Sequence, residues 1–363
     1  MAKDDRKKKR RRRSGGFLDI VNGLLMLVVI GLVVAVGVFL WGVNAFNQTG
    51  PTDEEQTFLI ERGNGMSTIA SRLAEQGLIA DMMTFRAGAW VLDLGQDVKI
   101  LPGEYRIPAR ASMRDIFDVI TSGKPIEYFV MVNPGQSSHE VAMALNDPAQ
   151  SLVGDPVPVP PEGSVLPVRH DYFPRDDRAG LLKAMQEAMT GKIDEIWAKC
   201  RPDICGEDGV LKTKKDFVTL ASIVEKETGI DSERPIVASL FINRLRKGMR
   251  LQTDPTILYG LYQGVPQEKL TITASQKAKE TPYNTYVIDG LPPTPIANPG
   301  VAALEAVANP ADTKYLYMMA VTPGDYSDGH YFAETLDEHQ ANEAKYRRQE
   351  REQAQQSQDN AQQ

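Results

Sequence analysis

Apolar positions along the chain follow three different rhythms. From Ile20 to Val43 no residue is charged, and Leu, Val, Ile, Gly and Ala dominate. At a rise of about 1.5 Å per residue this run crosses a bilayer core of roughly 30 Å. Next come short β-rich runs, each followed by a glycine turn and then by apolar residues at helical spacing. "FLIERGNGMSTIASRLAEQ" from Phe58 and "VMVNPGQSSHEVAMALNDP" from Val130 align with each other, so that Gly63 matches Gly135, Ile69 matches Val141 and Leu73 matches Leu145. Between them "GEYRIPARASMRDIFDVITSG" predicts a strand at Tyr105–Ile107 and a helix capped by Ser112 and stopped by Gly123. The third rhythm is purely helical. Leu182, Met185, Met189, Ile193 and Trp197 predict a helix over 180–199, and further helices are expected over 214–228, 233–247 and 301–308, with a strand in "KYLYMMAV".

These patterns divide the chain into a tail (residues 1–19), a membrane-spanning helix (20–43), a polar linker (44–56), a small module of strand–helix units (57–126), a larger domain (127–342) and a polar tail expected to be disordered (343–363). Residues 148–177, rich in Pro and Asp, read as a connector. The fold class is α+β: a single N-terminal transmembrane helix, a small α+β module and a mostly helical domain with a few strands.

Charge adds direction to this picture. The formal net charge is −7, yet nine Lys and Arg crowd between Lys3 and Arg13. A basic run can bind nucleic acid, but this one precedes an apolar span and Asp53, Glu54 and Glu55 follow that span. The positive-inside rule then places the tail in the cytoplasm and everything after Val43 outside it, with Trp41 at the far interface and no role for nucleic acid. A cleaved signal peptide is the competing reading, with Val43-Asn44-Ala45 as a loose cleavage site. The run exceeds the roughly 7–15 apolar residues of a signal sequence, which favours a retained anchor. Outside the cytoplasm, Cys200 and Cys205 in "CRPDIC" form a candidate disulfide. His139, His170, His330 and His339 are scattered without ligand spacing, so no metal is expected.

Candidate chemistry centres on "ASIVEKETG", Ala221 to Gly229. At about 100° per residue this helix is apolar nearly all round, so it is buried, and its two glutamates point to opposite sides. Burial disfavours a carboxylate, and a carboxyl that stays protonated near neutral pH is what a general acid requires. The alternative is that Glu225 pairs with a buried arginine such as Arg234 or Arg244; periodicity alone does not decide. Downstream, "RLQTDPTILYG" carries Gln252, Thr253 and Asp254 before a Pro255 turn, and "TPYNTYVIDGLPPTPIANPG" gathers Tyr283, Asn284, Thr285 and Tyr286. Such amides, hydroxyls and rings suit sugars. No P-loop, GxGxxG or Ser/His/Asp order supports a rival chemistry, and no cofactor is called for.

Taken in order, "LASIVEKETG", "VASLFINRLRKGMRLQTDPTILYG", "YNTYVIDGLPPTPIANPG" and "GHYFAETLDEHQAN" resemble the endolytic murein transglycosylases of the MltG (YceG-like) family, from about Phe58 to Asn342. The resemblance implies that residues 57–126 are a LysM-like module and residues 127–342 the catalytic domain. It further implies cleavage of the β-1,4 bond between N-acetylmuramic acid and N-acetylglucosamine inside nascent glycan strands. That leaves 1,6-anhydro ends and terminates glycan elongation. By the same resemblance Glu225 is the catalytic acid and base, while Gln252, Asp254, Tyr283, Asn284, Thr285 and Tyr286 line the cleft. Ordinary glycosidases need two carboxylates, whereas a sugar that attacks with its own C6 hydroxyl needs one, so a lone glutamate fits. The implied partners are peptidoglycan strands, the inner membrane through one helix, and penicillin-binding proteins of the elongation machinery. The other reading is a non-catalytic murein-binding scaffold. Two departures stand out: Val168, Arg169, His170 and Asp171 separate the proline from Tyr172 in "EGSVLPVRHDYF", and Thr294 stands where the family pattern has Gly.

Overall fold

The computed structural model describes residues 17–93, 99–267 and 272–361; the basic stretch Lys3–Arg13 lies outside them. The chain divides into two compact units, Met1–Ile126 and Glu127–Gln363.

The first unit runs α1 (Phe17–Asn47), β1 (Gln56–Ile60), α2 (Met66–Glu75), α3 (Met82–Asp93), β2 (Gly103–Ile107) and α4 (Met113–Ser122). Among the described residues one helix is long and apolar enough to cross a membrane, over Ile20–Asn47. Residues 44–47, expected in the linker, continue that helix. Strands β1 and β2 pair antiparallel with Phe58 opposite Tyr105. Their alternating side chains send Phe58, Ile60, Tyr105 and Ile107 inward, onto Ile69 and Leu73 of α2, Phe85 of α3 and Ile116 of α4. Ser112 caps α4 through a reciprocal box with Asp115.

In the second unit β3 (Tyr128–Met131) precedes α5 (Ser138–Asn146), β4 (Arg169–Tyr172), α6 (Arg178–Trp197), α7 (Lys214–Glu227), α8 (Arg234–Arg246), α9 (Asp254–Tyr262) and α10 (Ala274–Lys277). Helix α11 (Val301–Ala308), β5 (Tyr317–Thr322), β6 (Asp325–Ala333) and α12 (Leu336–Ala361) follow. β3 pairs with β4 and β5 with β6, both antiparallel. The residues that separate Pro167 from Tyr172 therefore form an edge strand, and the Tyr172 hydroxyl is held by Gln150 and the Ser151 amide. The repeat has a backbone counterpart, because Gly63 and Gly135 take left-handed φ angles of 83° and 81° at equivalent turns.

Helix α7 is the hub. Thr213 and Asp216 cap it reciprocally, and every side chain from Phe217 to Val224 is buried. Val237, Leu240 and Phe241 of α8 and Leu304 and Val307 of α11 share that core. Truncating a fully buried side chain such as Phe217 to alanine should cost about 3–5 kcal/mol. Two expectations change. Pro255 does not make a free turn; it occupies the first turn of α9, where its missing N–H is no loss. The described residues of the polar tail, expected to be disordered, continue α12 as far as Ala361, with Arg348–Glu352 and Arg347–Glu343 pairs one turn apart.

Candidate active site

The two glutamates at the end of α7 do face different surroundings. Glu225 is closed in, its side chain 5% exposed. One carboxylate oxygen accepts from the Arg234 guanidinium at 3.2 Å and the other from the Gly300 amide at 2.9 Å. Gly300 is the N-cap of α11, so the carboxylate also sits at the positive end of that helix. A Cβ on Gly300 would lie 3.1 Å from that same oxygen, which is why glycine suits the position. Each of these partners helps to fix the side chain in one place. The pairing with Arg234 is the alternative that helix position left open.

Glu227 is half-buried on the other side. Loss of water around its carboxyl pushes its pKa above the ordinary value, the Thr253 hydroxyl bonded to it pulls back, and the Asp254 charge pushes up again. His330 and Arg244 add weaker downward pulls. A raised carboxyl pKa of the kind a general acid requires is found at Glu227. Arg244, named in advance as a candidate partner of Glu225, acts on Glu227 instead. It is buried with its own donors spent on the Leu316 and Leu251 carbonyls at 2.6 Å each.

Around Glu227 the structure gathers half of the expected cleft residues. Asp254 and Gln252 are exposed, so the site opens to solvent there. Asp254 accepts from the Tyr286 hydroxyl at 2.6 Å and lies 3.5 Å from the Lys277 ammonium, which itself sits 4.2 Å from the Tyr286 ring centre. Burial, and then Asp254, hold the Tyr286 phenol protonated by raising its pKa. Gln252 has a left-handed backbone, φ 50°, unusual for a residue with a side chain, and its amide bonds the Thr285 carbonyl at 3.1 Å.

Asn284 and Thr285 do not face this opening. Both are fully buried. Asn284 spends its amide on the carbonyls of Lys277 and Lys279 and accepts from the Tyr286 amide. Thr285 bonds Thr253 and Thr256. They hold the loop in which Tyr286 stands. Tyr283 turns elsewhere, to a cavity of about 620 Å³ shared with Glu162, Val218, Tyr259, Thr294 and Pro295. There its hydroxyl meets Thr294 at 2.9 Å and its ring lies 4.9 Å from that of Tyr259. Glu162, raised in pKa chiefly by burial, accepts from the Ser138 amide at 2.8 Å. Lys277 and Glu162 escaped the sequence reading; the only signal for Glu162 was a carboxylate beside a glycine turn. Cys200 and Cys205 are joined, with their Cα atoms 5.9 Å apart.

A mixed helical and β chain with an apolar N-terminal helix and a raised carboxyl beside Asp, Tyr and Gln at an open edge thus defines the site. The YceG-like family model matches residues 58–345, and the chain belongs to that family. It is 32% identical over 188 residues to a Bacillus subtilis (strain 168) protein named endolytic murein transglycosylase, covering 52% of this chain and 48% of that one. A Streptococcus pneumoniae (strain D39) protein of the same name is 32% identical over 162 residues, 42% of this chain and 28% of its own. The chain thus spans about half or less of the length of these relatives. A solved YceG-like protein of Listeria monocytogenes is 26% identical, with a TM-score of 0.47, over 79% of this chain and 98% of its own.

Proposed function

We propose that this chain is a membrane-anchored endolytic murein lytic transglycosylase in which Glu227, rather than Glu225, is the acid and then the base. The raised carboxyl of Glu227, buried beside the exposed Asp254, carries this reading, and the name shared by the relatives supports it. Protonated Glu227 donates to the glycosidic oxygen between N-acetylmuramic acid and N-acetylglucosamine as that bond breaks. The resulting carboxylate takes the proton of the muramyl C6 hydroxyl as its oxygen closes onto C1. The product ends in 1,6-anhydro-muramic acid, no water is consumed, and no second carboxylate is needed as nucleophile. Asp254 contributes by disfavouring the Glu227 carboxylate, and Tyr286 and Lys277 hold Asp254. Gln252 is placed to bond sugar hydroxyl or N-acetyl groups.

In this reading Ile20–Val43 is a retained anchor in the inner membrane, with the basic tail in the cytoplasm and everything after Val43 outside it. The Cys200–Cys205 bond suits an oxidising compartment. Residues 57–126 serve as a LysM-like glycan-binding module. Chain cleavage near the membrane surface would then end glycan elongation beside penicillin-binding synthases.

The test is digestion of purified murein by the detergent-solubilised chain, with separation of muropeptides by mass. Wild type and folded Glu225→Gln should release 1,6-anhydro ends, and Glu227→Gln none. Absence of anhydro products from wild type rules out the enzyme; wild-type release by Glu227→Gln rules out this acid.

A further inference from the structure

Helix α3 shows two apolar faces, and the protein covers one. Phe85 and Ala89 are buried in the core of the first unit. The opposite face carries Met83, Ala87, Trp90 and Val91, spaced i, i+4, i+7 and i+8, with Arg86 among them. Met83 is 62% exposed, Trp90 67% and Val91 46%, and Leu101 beyond the helix is exposed as well. A contiguous apolar stripe of this kind on a surface marks a place where something docks.

The structure also fixes where this stripe lies relative to α1. Phe46, in the last turn of α1, is buried in the same core with its ring 6.2 Å from that of Phe85. Gly88 makes room for it, since a Cβ there would lie 2.4 Å from the Phe46 ring. Helix α1 is unbroken from the end of its uncharged run at Val43 to Phe46. Three residues of helix rise about 4.5 Å. On the anchor reading, the part of α3 that packs on Phe46 therefore lies beside the end of the apolar span, where an interfacial helix buries its apolar face. Tryptophan favours that zone, and an arginine there keeps its charge among phosphates while its stem stays in apolar surroundings.

We propose that the exposed face of α3 rests in the outer leaflet's interfacial region, with Trp90 and Met83 among the acyl-chain ends of the headgroup layer and Arg86 on lipid phosphate. The occupant is the lipid surface itself. The inference rests on the anchor reading above and adds a second, peripheral contact beside the spanning helix. It would set the height and tilt of the first unit over the bilayer.

The test uses the full chain reconstituted in vesicles of phosphatidylethanolamine and phosphatidylglycerol. Ala87→Cys carries a bimane label; the native cysteines are joined to each other. The label should emit to the blue, lose most of its emission to lipids brominated near the headgroup, and resist aqueous iodide. Adding Met83→Ser and Trp90→Ser should reverse all three responses. Trp90 emission, read in the background of Trp41→Phe and Trp197→Phe, gives an independent measurement without the label. Quenching by iodide but not by brominated lipid overturns the proposal, as does a response to soluble glycan strands and not to lipid. Release of the chain by alkaline carbonate removes the anchor reading and this proposal together. Retention with a water-exposed label removes this proposal alone.

Discussion

The two faces of α7 near its C-terminus carry the same functional group two positions apart and treat it oppositely. On one face Glu225 meets a guanidinium, a backbone amide and a helix N-terminus, all within a closed pocket. On the other, the Glu227 carboxyl is buried beside the Thr253 hydroxyl and the neighbouring Asp254 carboxylate. Chemistry therefore follows from the partners brought by α8, α9 and α11, and not from the glutamate or from its helix. At Glu225 the donors fix the position of the side chain. At Glu227 burial raises the pKa.

The largest way to break this comparison is exchange of the carboxyls. Glu227→Gln should lower the rate of anhydro-muropeptide release by about 10²–10⁴-fold, with its melting temperature at or above that of wild type. Glu225→Gln should do the reverse: per folded molecule it keeps activity, but it loses about 1–3 kcal/mol of stability because the buried Arg234 keeps only Asp231 of its two carboxylate partners. Thermal melting paired with single-turnover digestion separates the two.

Titration sharpens the contrast. The Glu227 pKa is raised in the folded state by burial, so the native chain holds that proton more tightly than the unfolded one. Its contribution to stability is full below the ordinary value of 4.5 and is lost as pH rises through the folded value. Glu227→Gln lacks this loss. Its stability relative to wild type should rise across that window in denaturant melts, and a flat difference would contradict the burial of the carboxyl. Activity should fall on the alkaline side through the same pKa.

Much of this was legible in sequence, and the boundary is instructive. Apolar periodicity located α6, α7, α8 and α11 to within a few residues, because burial and helical spacing are local to each segment. Separation of Glu225 from Glu227 onto opposite faces followed from the same geometry. Which of them is paired depends on Arg234 and Gly300, and periodicity holds no information on the partner of a distant residue. Asn284 and Thr285 read as sugar contacts because composition reports what a side chain can bond and not which way it points. Asp254-Pro255 read as a turn, although proline is equally at home at the start of a helix.

Smaller effects test the walls of the Glu227 site. Tyr286→Phe removes the bond to Asp254 and should cost about 0.5–1.5 kcal/mol of transition-state stabilisation, read as a fall in kcat/KM on a defined glycan strand. Thr253→Val removes the hydroxyl that favours the Glu227 carboxylate. The alkaline limb of the activity profile should then move to higher pH with little change at its plateau.

The bond between Glu225 and Gly300 joins residues 75 positions apart. Thr253, Asp254 and Tyr286, which act on Glu227, precede Gly300 along the chain, and His330, which also acts on it, follows. The end of α7 is therefore not locked until Gly300 has emerged and packed. A partly translocated or clipped chain would carry Glu227, Thr253, Asp254 and Tyr286 without that brace. The moment at which the end of α7 takes its final shape is thus set by a segment made long after the helix itself.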